Sequence, residues 1–146
     1  MGSPSLGKPH LLIRAATTLV GIPVDVVHEV MRMPELRPLP SEIPATLGMA
    51  MIRASAVTVL DLRRLLGFDD TVPPSRLISV RIGKRQVALA LDDVVGIARL
   101  DDTDATAQPL AADAVSQLTV LDRELVLVLE TLRTVPEAAW QPLETT

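Results

Sequence analysis

The sequence predicts an all-β chain, built as a barrel or as paired barrels. Short aliphatic runs recur at about ten-residue spacing between Gly and Pro turns, the pattern of a small barrel. The apolar fraction is 48% and mean hydropathy +0.34, yet the aromatic residues are only Phe68 and Trp140, so a sizeable core must be packed from Val, Leu, Ile, Ala and Met. The chain also repeats itself. VGIPVDVVHEVMRM at Val20–Met33 returns as VALALDDVVGIARL at Val87–Leu100, placing Asp25 over Asp92, Val27 over Val94 and Val30 over Ile97. VTVLD at Val57–Asp61 is answered by VLVLE at Val126–Glu130 at nearly the same offset. Two echoes in the same order indicate an internal duplication, with approximate halves 10–75 and 76–135.

Taken in order, residues 1–9 hold Gly, Ser and Pro without a period and read as a flexible lead. His10–Ala15 and Leu19–Val24 form a hairpin about Ala16-Thr17-Thr18. Pro23 has no N–H to give a neighbour, which argues for an edge or a bulge there. Val26–Met33 suits a short helical turn and an extended edge equally well. Pro34, Pro38, Pro40 and Pro44 hold the next segment away from helix, as an ordered loop. Val57–Leu60 is a strand, and DLRRLLG after it is one helical turn closed by Gly67. Phe68–Arg76 connects the halves. Leu77–Ile82 and Arg85–Leu91 make a hairpin about Gly83-Lys84. Asp101–Asp113 is polar and without a period. Leu118–Leu121 and Leu125–Leu129 make a last hairpin about Asp122-Arg123-Glu124, Thr131–Val135 starts a short helix or a tail, and 136–146 is a C-terminal tail.

Composition excludes several classes of function. A formal charge of −4 and two aromatics weigh against single-stranded nucleic acid as a partner, which wants a basic groove with stacking platforms. Aromatic shortage equally disfavours an SH3-like groove for proline-rich ligands. No apolar run approaches the ~18 residues of a membrane span. The start has no long apolar signal region, and Leu6 stands where a myristoylation signal has Ser or Thr. The absence of cysteine excludes disulfides and thiolate chemistry and fits a reducing cytoplasm.

Catalytic constellations are weak. Asp25 and Asp92, one per half, invite the idea of an aspartate dyad sharing a proton. The D-T-G or D-S-G loop of that chemistry is missing, so capping of the following turn is the better reading. Asp102, Asp104, Thr106 and Asp113 mimic a calcium loop, but Ala107 stands at the required glycine and the last bidentate Glu is absent. His10 and His28 make no zinc set. No phosphate-binding glycine loop or nucleophile elbow is present. Neither a metal nor another cofactor is expected. What remains is Glu29 in VVHEVM and Arg53 in MAMIRASAV, charges in apolar sequence that pair with each other or mark a recognition patch.

G-I-P-V-D-x-V-x-E-V at Gly21–Val30, the proline-rich loop, G-x-x-x-x-R at Gly48–Arg53 and V-L-D-L-R-R-L-L-G at Val59–Gly67 together resemble the CheW family of chemotaxis coupling proteins. The likeness continues through Leu77–Leu91 and D-x-V-x-x-I at Asp92–Ile97 to Leu125–Glu130, covering roughly 10–135 as one CheW-like domain. The resemblance implies two intertwined five-stranded SH3-like barrels. It also implies a non-catalytic scaffold of the cytoplasm, recruited to receptor arrays. One surface binds the helical cytoplasmic tip of a chemoreceptor and another the regulatory domain of a CheA-type histidine kinase. The family's receptor groove falls on Val27, Glu29, Gly48 and Arg53, all retained here.

Departures from the family lie at Ala54, where glycine is usual, at Thr58, where proline is common, and at Gln117-Leu118-Thr119, where a Gly-Val pair is normal. Ile97 to Leu125 is also shorter than usual by about five residues, in the part that completes the second barrel and much of the kinase contact. The alternative is therefore an accessory CheW-like protein that binds receptors but engages kinase poorly.

Overall fold

A computed structural model describes residues 7–69, 71–100, 117–129 and 132–143. Its elements are β1 (Lys8–Ala15), β2 (Thr18–Pro23), a 3₁₀ turn at Val24–Val26, β3 (Val27–Arg32), β4 (Thr46–Ile52), β5 (Ser55–Asp61), α1 (Leu62–Leu65), β6 (Arg76–Ile82), β7 (Arg85–Leu91), β8 (Asp93–Leu100), β9 (Gln117–Leu121), β10 (Glu124–Val128), a 3₁₀ turn at Glu137–Ala139 and β11 (Gln141–Pro142). The all-β expectation holds. The strands form two sheets, ordered β8-β1-β2-β10-β9 and β3-β6-β7-β5-β4, with β11 added beside β7.

This order is the duplication made visible. Each sheet takes its central hairpin from one half of the chain and its three outer strands from the other. The register repeats too. Val128 lies opposite Gly21 in the parallel pair β10/β2, and Val59 lies opposite Ala88 in the parallel pair β5/β7, which are corresponding positions of the repeat.

Alternation along the strands sorts side chains into three cores. Leu11, Ile13, Val20, Ile22, Ile78, Val80, Val87 and Leu89 fill a core shared by both sheets. The opposite faces build smaller cores: Ala50, Val57, Val59, Leu77, Ala88 and Ala90 inside the second sheet, and Leu12, Leu19, Leu100, Val126 and Val128 inside the first. The unbroken apolar run Val87–Leu91 follows from burial on both faces of β7.

Several local expectations are corrected. The strand carrying Pro23 is internal, between β1 and β10. Proline is tolerated because it is the last residue of β2, and β10 pairs only with Leu19–Gly21. Val26–Met33 takes the extended alternative, as β3 at the end of the sheet order; the 3₁₀ turn before it, Val24–Val26, reaches only its first residue. β4 and β8 are strands the sequence reading did not pick out. Leu132–Val135 is a turn, not a helix, closed by Val135 N–H to Leu132 C=O at 3.1 Å; Thr131 lies outside the described residues. Residues 136–143 pack: Ala139 is buried, Gln141 pairs with Gln86, and the Arg85 guanidinium lies 5.3 Å from the Trp140 ring centroid. The polar segment Asp101–Asp113, with its calcium-loop pattern, lies outside the described residues.

The predicted helical turn ends as its sequence demands. With Leu66 as C-cap, Phe68 N–H bonds to Arg63 C=O at 2.8 Å and Gly67 N–H to Arg64 C=O at 3.1 Å, a Schellman pair with Gly67 at φ +84°.

Candidate functional site

β3 and β4 are the two end strands of the second sheet, and the sequence places one charge on or beside each. On β3 the register shifts between Val27 and Glu29, so Glu29 comes opposite Ser79. Strands β4 and β5 are joined by the two-residue turn Arg53-Ala54, both in the left-handed region at φ 49° and 67°, the geometry of a tight hairpin. That turn carries Arg53 beyond the strand end.

The two side chains meet. Arg53 Nε donates to Glu29 Oε1 at 2.7 Å and Nη2 to Oε2 at 3.1 Å, a bidentate charge-assisted pair. Because its partners stand on strands at opposite ends of the sheet order, the pair ties the sheet back on itself. Glu29 is 25% exposed and Arg53 71%, so the pair is presented to solvent. The Arg53 hydrogen bonds hold the Glu29 carboxyl below its usual range against the opposing effect of burial, helped by the charges of Arg53, His28 and Arg81. Glu29 in turn raises Arg53. Two large apolar side chains near the pair in sequence, Val30 on β3 and Met51 on β4, are exposed, Val30 on the face of β3 opposite to Glu29.

The other two predicted site residues sit differently. Val27 is half-buried against the shared core and closes the 3₁₀ turn through its N–H to Val24 C=O. Gly48 is buried, at φ +147°, and a Cβ there would lie 2.5 Å from Arg37 O. Arg37 and Met49 exchange both backbone hydrogen bonds at 2.8 Å. Glycine at 48 thus lets the proline-rich loop lie against β4.

Asp25 and Asp92 share no hydrogen bond. Asp25 is exposed in its 3₁₀ turn, whereas Asp92 accepts from Ala16 N–H at 2.6 Å and from Arg63 Nη1 at 3.0 Å. The residue that sequence reasoning missed is Arg63. It is 2% exposed, pairs with the equally buried Asp61 through Nε and Nη2 at 3.0 Å each, and bonds Val72 C=O at 2.6 Å. Arg63 therefore joins β5, the connector, and the start of β8 with the β1–β2 turn. Its only sequence signal is an arginine pair in an otherwise apolar helical turn.

The model of the CheW-like domain family matches residues 9–138. The chain belongs to the CheW-like family. Among curated proteins it is similar to Protein FrzA of Myxococcus xanthus, 30% identical over 106 residues, which are 71% of this chain and 66% of FrzA. The match therefore spans just under two thirds of that relative. Among solved structures, the scaffolding protein TtCheW from Thermoanaerobacter tengcongensis superposes with a TM-score of 0.76, at 20% identity, covering 88% of this chain and 92% of that one. CheW-like domains are non-catalytic scaffold modules of chemosensory signalling, and the surface fits that class. Among the described residues no helix is long and apolar enough to cross a membrane.

Proposed function

We propose that this CheW-like chain is a cytoplasmic adaptor recruited to chemoreceptor arrays. It docks the helical tip of a chemoreceptor and joins it to the regulatory domain of a CheA-type histidine kinase. The observation that carries the reading is the Glu29–Arg53 pair, bidentate yet exposed, on a sheet that also exposes the apolar Val30 and Met51. A helix lays its apolar stripe on such a surface, and the two opposite charges fix its direction and register. Val27, half-buried against the core, and Gly48, where the proline-rich loop lies against β4, are the other residues of the proposed surface.

An accessory role without kinase engagement is disfavoured by one observation. Despite the short segment between Ile97 and Leu125, the first sheet carries β9 and β10, and its five strands match the five-strand path of its counterpart, to which β11 adds a sixth.

The test is a binding assay with the purified receptor-tip fragment. Glu29→Lys or Arg53→Glu is expected to weaken binding while leaving the melting temperature nearly unchanged, because the pair is exposed and outside the three cores. Loss of folding in both variants would assign the pair to structure alone. A pull-down against the kinase's regulatory domain tests the second arm, and failure to bind there would restore the accessory reading.

A further inference from the structure

The duplication allows the two sheets to be compared position by position, and the comparison isolates Arg81. Its counterpart in the other half is Arg14: each stands two residues before a hairpin turn, at Ala16-Thr17 and Gly83-Lys84, and each lies opposite an equivalent residue, Leu19 or Gln86. Arg14 has an acid. Its guanidinium holds both carboxylate oxygens of Glu124, the first residue of β10. The residue equivalent to Glu124 is the first residue of β5, and it is Ser55. Arg81 thus keeps the cation of this pair without an acid at the equivalent position; its charge acts on Glu29, whose hydrogen bonds go to Arg53.

Local geometry makes the vacancy matter. Among the described residues, two buried side-chain polar atoms have no hydrogen-bond partner, Arg81 Nε and Ser79 Oγ. Both lie on one face of β6, since alternate residues of a strand share a face. That face is also Glu29's, because Glu29 lies opposite Ser79. Both Glu29 oxygens are already taken by Arg53. Arg81 is only half-buried, so the rest of its guanidinium is open to an incoming carboxylate, which would supply the hydrogen-bonded acid that Arg14 has in Glu124.

We propose that Arg81 is a further binding residue of the docking surface, taking a carboxylate from the partner helix in the place that Glu124 fills toward Arg14. This rests on the docking reading above and adds a requirement to it: the partner presents an Asp or Glu beside its apolar stripe.

Two variants test it in a titration against the receptor-tip fragment. Arg81→Gln removes the cation. Ser55→Glu leaves Arg81 in place and supplies the missing intramolecular acid. Each is expected to weaken binding about tenfold, equivalent to about 1.4 kcal/mol. The difference between wild type and Arg81→Gln should shrink as salt is raised, which lost packing would not do. Should Arg81→Gln fail to fold, Ser55→Glu still decides the matter. Wild-type affinity in Ser55→Glu beside a weakened Glu29→Lys would overturn the role of Arg81 and leave the docking reading standing. Wild-type affinity in Glu29→Lys as well would overturn both.

Discussion

Replacing Arg63 by Met should be the most damaging single change in the charged groups of this protein. Arg63 and Asp61 are each 2% exposed, so the Asp61 carboxylate relies on the guanidinium and on the Arg63 backbone N–H at 3.0 Å. Removing the side chain leaves a buried carboxylate with one hydrogen-bond donor, a backbone N–H, and the half-exposed Arg64 at 3.8 Å, and it also takes partners from Val72 C=O and Asp92. Breaking a buried pair by removing one partner typically costs about 3–5 kcal/mol. Total stability of a domain this size is about 5–15 kcal/mol, so the loss is a large fraction of the whole. Replacing both partners behaves differently. Asp61→Asn keeps an acceptor for the helix cap and removes the stranded charge, so Asp61→Asn/Arg63→Met should recover at least about 1 kcal/mol of the single-variant loss. Urea unfolding followed by circular dichroism measures both. The reasoning fails if Arg63→Met costs less than about 1 kcal/mol, or if the double variant is as unstable as the sum of the singles.

Three further outcomes are expected. Gly48→Ala sets a Cβ 2.5 Å from Arg37 O at a φ of +147°, and should destabilise by roughly 1–3 kcal/mol while abolishing hydrogen-exchange protection at the Arg37 and Met49 amides. Ala54→Gly relieves a left-handed alanine at φ 67°, and after the added freedom of the unfolded chain should stabilise by about 0.5–1 kcal/mol in thermal melts. The Glu29 carboxyl is held below its ordinary 4.5 in the folded state, so the pair's contribution is complete above that pH and is lost as pH falls through the lower folded-state value. A carboxyl NMR titration should place the Glu29 midpoint under 4.5, and Arg53→Ala should move it upward.

How far the sequence could be read follows from where its information lies. The hairpins at β6–β7 and β9–β10 were legible because Gly83-Lys84 and Asp122-Arg123 interrupt aliphatic runs at the spacing a two-residue turn needs. β4 was not, because Met49-Ala50-Met51-Ile52 has neither polar alternation nor β-branching before Ile52; its pairing with β5 and with Arg37 holds it extended. Pro23 misled because edge position was inferred from a missing N–H that only matters where a neighbour needs it. Glu29 and Arg53 stood out as charges in apolar surroundings, and the structure joins them. Arg63 did not, since Asp-Leu-Arg-Arg reads equally as the exposed side of a helical turn.

The repeat also separates what the frame requires from what is free to act. Val27 and Val94 serve the same structural end in both halves, packing against the shared core, whereas Asp92 holds the β1–β2 turn and Arg63 while its counterpart Asp25 is exposed. Where the halves differ, the frame has tolerated the change. Gly96 stands in place of Glu29 and Asp122 in place of Arg53, so the first sheet has no counterpart of the exposed pair, yet its strand order and parallel register are the same. The Glu29–Arg53 pair is therefore not needed to build such a sheet. Arg14 and Arg81 occupy equivalent places in the frame, but Ser55 stands where the first half would need a counterpart of Glu124. Glu29 and Arg53, which have no counterparts in the first sheet, and Arg81, whose counterpart Arg14 alone has a hydrogen-bonded acid, belong to one region of one sheet, and a partner is what would give that asymmetry a use.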